Sequence, residues 1–161
     1  NFKKFDTVVD HSDHFYSNQN STMKQPPRNW AKNIQEEWKI LEKDLPDTIF
    51  VRVYESRMDL LRAAIIGAEG TPYHDGLFFF DVCFPSSYPQ NPPLVHYHSG
   101  GLCINPNIND CGEVCLSLLN TWFPGDANTM WIPGTSTMLQ VLVSIQGLVL
   151  NTKPAFNRHI M

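Results

Sequence analysis

Leu77 to Phe84, LFFFDVCF, constrains this chain more than any other stretch. Four phenylalanines in eight residues leave a buried strand as the one reading that fits. Two strands are expected before it. Ile49–Tyr54, IFVRVY, is β-branched and partly alternating, and Leu60–Ile66, LLRAAII, is continuously apolar and ends at Gly67. A turn-rich connection, Gly70-Thr71-Pro72-Tyr73-His74-Asp75-Gly76, joins the last two. A fourth short strand, Leu94–His98, follows the proline-rich loop from Pro85 to Pro93. Consecutive strands with short connections predict a four-stranded antiparallel meander.

Helices flank the meander. From Trp30 to Lys43, apolar Ile34, Trp38, Leu41 and Leu45 recur at helical spacing, and Pro46 forces a stop. Lys32, Lys39 and Lys43 fall on the opposite face: an ordinary solvated face, or a basic strip for a partner. Thr135-Ser136-Thr137 can cap a second helix running to about Leu150, with Leu139, Leu142, Val143, Ile145, Gln146 and Val149 winding round it. The fold class is α+β, with residues 30–161 as the core domain. Residues 1–29 are polar and read as a flexible or partly docked extension. Phe2, Phe5, Phe15 and Tyr16 are more apolar than a linker needs. Asp10, His11, Asp13 and His14 have the chemistry of metal ligands, but nothing downstream completes a set, so no metal is expected.

One domain accounts for 161 residues, and that length can bury a self-sufficient core. A net charge of −4 argues against a nucleic-acid surface. Residues 71–161 carry only Lys153 and Arg158 against Asp75, Asp81, Asp110, Glu113 and Asp126, so this half is buried or meets protein. Cys83, Cys103, Cys111 and Cys115 do not form a disulfide framework in a chain this size. They imply a reducing, intracellular setting, cytoplasmic or nuclear and compatible with endomembrane association. No stretch approaches a membrane span and no signal-peptide pattern opens the chain. Because it begins with Asn, the chain is expected to be part of a longer protein.

The chemistry concentrates in CINPNINDCGEVCLSLL, Cys103 to Leu119. A turn-favouring loop gives way at Val114 to an apolar run that holds Cys115. Asn107 lies eight residues before that thiol, near enough for a loop to fold its amide back. A thiol beside a carboxamide donor suits acyl transfer: sulfur carries the acyl group and the amide steadies the oxyanion. By itself Cys115 reads first as a buried structural cysteine.

This segment resembles the active site of ubiquitin-conjugating enzymes (E2s), in which a His-Pro-Asn motif precedes the catalytic cysteine by the spacing from Asn107 to Cys115. Here the motif is Asn105-Pro106-Asn107. Gly70-Thr71-Pro72-Tyr73, Gly76, Phe78-Phe79, Phe84-Pro85, Tyr88-Pro89 and Pro92-Pro93 are similar to the E2 pattern in order, so the resemblance covers roughly residues 30 to 154. It implies that Cys115 accepts ubiquitin from the activating enzyme (E1) as a thioester and passes it to a substrate lysine. Asn107 would be the oxyanion donor or would shape the loop. ATP is spent by E1, so no cofactor is expected. Lys32, Lys39 and Lys43 become E1-binding candidates, and Val143 and Gly147 would support the donor ubiquitin. Gln90 stands where many E2s place a large hydrophobe, which implies weak binding to generic RING and HECT ligases. Family members commonly have an acidic residue after the second helix that activates the incoming lysine. None lies there, and the acidic position after the catalytic Leu is Ser117, so Asp126, in the preferred position, and Glu113 are the substitutes. Asn-Pro-Asn and the insertion from Asn120 to Asp126 look most like the large hybrid E2/E3 enzymes, among them plant regulators of phosphate homeostasis. A catalytically inactive E2-like binding module is the alternative. Two other constellations are weaker. His96, His98, Cys103, Cys111 and Cys115 lack zinc-knuckle spacing, and Cys115 lacks the local signature of papain-like proteases.

Overall fold

The computed structural model describes residues 2–18, 27–73, 75–98, 108, 112–121 and 130–150. Among them a five-stranded sheet runs in the order β1 (Phe5–Val8), β2 (Ile49–Tyr54), β3 (Leu60–Ile66), β4 (Leu77–Cys83) and β5 (Leu94–Tyr97). β2 to β5 form the expected antiparallel meander, with Ala63 opposite Phe80 and Phe80 opposite Tyr97. β4 and β5 each stop one residue short of the apolar pattern, at Cys83 and Tyr97. β1 corrects the four-stranded expectation: the sheet is mixed. It runs parallel to β2, with Phe5 opposite Val51, and Lys4 O accepts the Val51 N–H at 2.6 Å. A parallel partner needs a long crossover, which residues 9–48 supply. The added strand covers an edge of β2 that would otherwise leave its backbone groups unpaired.

Alternation along the strands sends Val51, Val53, Leu61, Ala63, Ile65, Phe80 and Val82 into one core with no exposed surface. Two helices cover that face. α1 (Trp30–Asp44) buries Trp30, Ile34 and Leu41, and ends as Leu45 turns extended ahead of Pro46. α2 (Met138–Ser144) starts at Thr137 in a capping box: Thr137 Oγ1 accepts the Gln140 N–H at 3.2 Å, and Gln140 Oε1 accepts the Thr137 N–H at 3.0 Å. A π-helical turn over Ile145–Val149 continues it to the expected end. Buried Glu37 ties the layers together. Its Oε1 accepts the N–H of Met138, the first residue of α2, at 3.2 Å, and Oε2 bonds the Tyr88 hydroxyl of the proline-rich loop. Burial pushes this carboxyl above its ordinary value despite both bonds.

The sheet's other face carries Tyr54, Leu60 and Cys83, which form a second cluster with Tyr16 and partly buried Val8. The N-terminal segment is therefore laid on the sheet. Asp10, His11, Asp13 and His14 gather no metal site; among the described residues no group of three suitable ligands occurs. Asp13 pairs with Arg62 at 3.0 Å, and His14 is buried with Nε2 2.9 Å from Leu61 O.

Candidate active site

Residues 112–121 wedge between β5 and the second helix. Tyr97 N–H donates to Gly112 O at 2.7 Å, His96 bridges Glu113 antiparallel, and Val114 bridges Ile108. Gly112 has φ +91°, and a Cβ there would collide with His96 Nε2 and Tyr97 O, so a side chain is excluded on two counts. Burial then alternates. Val114 and Leu116 are buried, Glu113 is exposed and Cys115 is half-buried. Because residues two apart in an extended chain share a side, the Glu113 carboxylate and the Cys115 thiol point to the same, solvent-facing side. The core anchors Val114 and Leu116, the neighbours of half-buried Cys115.

After the thiol the chain turns at once. Ser117–Leu119 form a single 3₁₀ turn, Leu119 is buried, and Asn120 enters the left-handed region at φ 57°. Asn120 Oδ1 accepts the Trp131 N–H at 3.2 Å, and the Trp131 indole donates to Pro89 O at 2.7 Å. Thr121 folds back on Cys115. Its hydroxyl lies 2.7 Å from Val114 O and accepts the Leu116 N–H at 3.0 Å, while its own N–H reaches Leu116 O at 3.2 Å. The sequence puts Gly112 in a turn-favouring loop and Thr121 in the insertion after Cys115, but assigns no individual role to either or to Glu37. Glycine in a turn-rich loop was the available signal for Gly112; nothing local marked the other two.

Beside the turn, Leu116, Ser117, Leu118, Gln140, Ser144 and Leu148 line an open groove of about 480 Å³. The adjoining helical surface is apolar: Val143 is 46% exposed and Leu148 56%. A side chain at exposed Gly147 would point into open space.

This geometry — a half-buried thiol between two core anchors, followed by a tight turn — coincides with a sequence match. The Ubiquitin-conjugating enzyme family model matches residues 33–160. The chain belongs to that family. It is 70% identical over 156 residues to a probable ubiquitin-conjugating enzyme E2 25 of Arabidopsis thaliana, covering 97% of this chain and 26% of that protein. It is 44% identical over 134 residues to a human dual E2 ubiquitin-conjugating enzyme/E3 ubiquitin-protein ligase, BIRC6, covering 79% of this chain and 3% of that one. The chain thus spans about a quarter or less of either relative. The structure of human ubiquitin-conjugating enzyme E2 G1 superimposes with a TM-score of 0.63 at 23% identity, over 76% of this chain and 94% of the other. The fold is the E2 α+β fold.

Of the residues singled out from the E2 resemblance, Cys115 and Ser117 are half-buried and Glu113 is exposed, all on the segment from 112 to 121. Val143 and Gly147 lie on the exposed side of the second helix and its π-helical extension. Lys32, Lys39 and Lys43 all project from the exposed side of α1, with Lys39 3.7 Å from Glu36. Gln90 is exposed within the proline-rich loop. Asn107, with Asn105, and Asp126 lie outside the described residues. No described helix is long and apolar enough to cross a membrane.

Proposed function

We propose that this chain is an E2 catalytic domain in which Cys115 takes ubiquitin from E1 and delivers it to a substrate lysine. The observation that supports this most directly is the half-buried Cys115, presented by buried Val114 and Leu116 in a chain of this family. The thiolate attacks the E1-bound thioester carbonyl; the E1 thiolate leaves, and ubiquitin's C-terminal acyl group is then on Cys115. A neutral lysine amine next attacks that carbonyl, and the tetrahedral oxyanion collapses to an amide as the C–S bond breaks, the amine's released proton ending on the departing Cys115 sulfur or in solvent. No metal or organic cofactor enters either step.

The Leu116 N–H, the amide just after the nucleophile, is committed to Thr121 Oγ1. That favours an oxyanion donor from elsewhere, the role assigned to Asn107. Glu113 shares the thiol's side of the chain, at a strand spacing of about 7 Å for two residues. It is thereby suited to take a proton from the incoming lysine, the role shared in expectation with Asp126. The apolar surface at Val143 and Gly147 is the seat for the donor ubiquitin, and Lys32, Lys39 and Lys43 form the E1 strip. With Gln90 in place of a hydrophobic anchor, generic RING and HECT ligases bind weakly. The similarity to BIRC6 favours a hybrid E2/E3 in which regions outside this chain select substrates, and the plant resemblance favours a regulator of phosphate homeostasis.

Incubation with E1, ATP and ubiquitin tests the central claim. Wild type should form an adduct lost in dithiothreitol, Cys115→Lys a resistant one, and Cys115→Ala none, while Cys83→Ala, Cys103→Ala and Cys111→Ala all load. Loading that survives Cys115→Ala would overturn the assignment in favour of another acceptor residue, and a wild type that forms no adduct would favour the inactive-module reading.

A further inference from the structure

The peptide groups on either side of Cys115 are held by one side chain. Val114 O belongs to the peptide that enters Cys115, and Leu116 N–H to the peptide that leaves it. The Thr121 hydroxyl donates to the first at 2.7 Å and accepts from the second at 3.0 Å. Two peptide planes meeting at one Cα define that residue's φ and ψ, so a single hydroxyl, which also lies 3.2 Å from Leu116 O, restrains the backbone of Cys115 from both sides. The Thr121 N–H closes the loop on Leu116 O at 3.2 Å. Only a group that donates and accepts at one atom can fill this position, and a hydroxyl does so. Asn120, next in the chain, is pinned in turn to Trp131.

We propose that Thr121 is a positioning residue for the Cys115 nucleophile: its hydroxyl orients the sulfur, and later the thioester carbonyl, for attack by the lysine amine. The proposal rests on the reading of Cys115 as the acyl carrier. Thr121 touches neither sulfur nor substrate in this role, so its removal should slow chemistry at the loaded thioester and leave affinity for the amine alone.

The test is single-turnover discharge of Cys115-linked ubiquitin to free lysine, across lysine concentrations, for wild type, T121V and T121S. Val keeps the volume and loses the hydroxyl; Ser keeps the hydroxyl. T121V should lose about 10- to 100-fold in the rate at saturating lysine, the scale of a slightly misplaced reacting group, with the half-saturating lysine concentration unchanged. T121S should stay within about twofold of wild type, a rescue that loss of packing at Thr121 would not produce. Discharge of loaded T121V at the wild-type rate, or T121S as slow as T121V, overturns the proposal. Amide exchange adds a check on the unmutated chain: Leu116 N–H should be protected, and exchange at the rate of an open loop overturns the clamp even if T121V fails to fold. Absence of any wild-type adduct on Cys115 would overturn the acyl-carrier reading, and this proposal with it.

Discussion

At Gly112 conformation and space make the same demand. Its φ of +91° lies where L-residues rarely go, and the missing Cβ is what allows His96 and Tyr97 to approach. Gly112→Ala should therefore cost at least about 1–3 kcal/mol, the scale of one strained residue, measured as a fall in the urea midpoint. It should also slow ubiquitin loading, since Cys115 is three residues on; a variant as stable and as fast as wild type would contradict both claims. Cys115 can be singled out as a candidate from sequence because a thiol at the boundary between turn residues and an apolar run is a local pattern. Thr121 cannot. Its partners sit five and seven residues back, across a turn whose geometry follows from Asn120 adopting a left-handed conformation.

Strands β2 to β5 were readable because alternation and aromatic content record which side of a sheet is buried. β1 was not: Phe5-Asp6-Thr7-Val8 has one polar residue too many, and its partner β2 begins forty-one residues past the strand's end. Glu37 was equally hidden, since a carboxylate on a helix is ordinarily a solvated group, and only the approach of Tyr88 and Met138 buries it. Truncation orphans both partners, so Glu37→Ala should destabilise the chain by about 1–3 kcal/mol for each. Glu37→Gln keeps an acceptor for the Met138 N–H and a partner for the Tyr88 hydroxyl, and should be nearly neutral. The sign of the pH effect follows from the carboxyl being raised on folding. Above the ordinary glutamate value the native state holds the extra proton, so this contribution is full at low pH and is lost as pH rises through the raised value. Urea unfolding at several pH values should show Glu37→Gln losing less stability on going alkaline than wild type does; parallel curves would assign the dependence to another group.

The N-terminal segment binds the molecule together across the face of the sheet opposite its helices. Phe2 packs on Phe50, with the Arg52 guanidinium 4.7 Å from its ring centroid. Arg57 reaches Ser17 O at 2.8 Å, and the Phe15 ring stacks on His96 at 3.5 Å, next to the Glu113 bridge that leads to Cys115. At its centre His14 accepts the Tyr16 N–H on Nδ1 at 3.1 Å, so the neutral ring keeps its proton on Nε2 and donates it to Leu61 O. A second proton on Nδ1 would have to displace Tyr16. Burial holds His14 below its ordinary value, outweighing the pull of Asp81 and Asp59, while Arg62 adds to the lowering. Asp81 is held below the ordinary carboxylate value: burial raises it, but the Arg62 guanidinium and the Phe15 N–H outweigh that. The unfolded histidine takes its proton near pH ~6.5 and the docked one only at lower pH. Stability from docking is therefore full above that point and falls as pH drops through the docked value. His14→Asn cannot titrate. It should lower the thermal midpoint at pH 7.5, losing a buried hydrogen bond of about 1–3 kcal/mol, and should flatten the decline between pH 7.5 and 5.5. A variant whose midpoint falls over that range as steeply as wild type's would show that the segment is held by something other than the neutral ring.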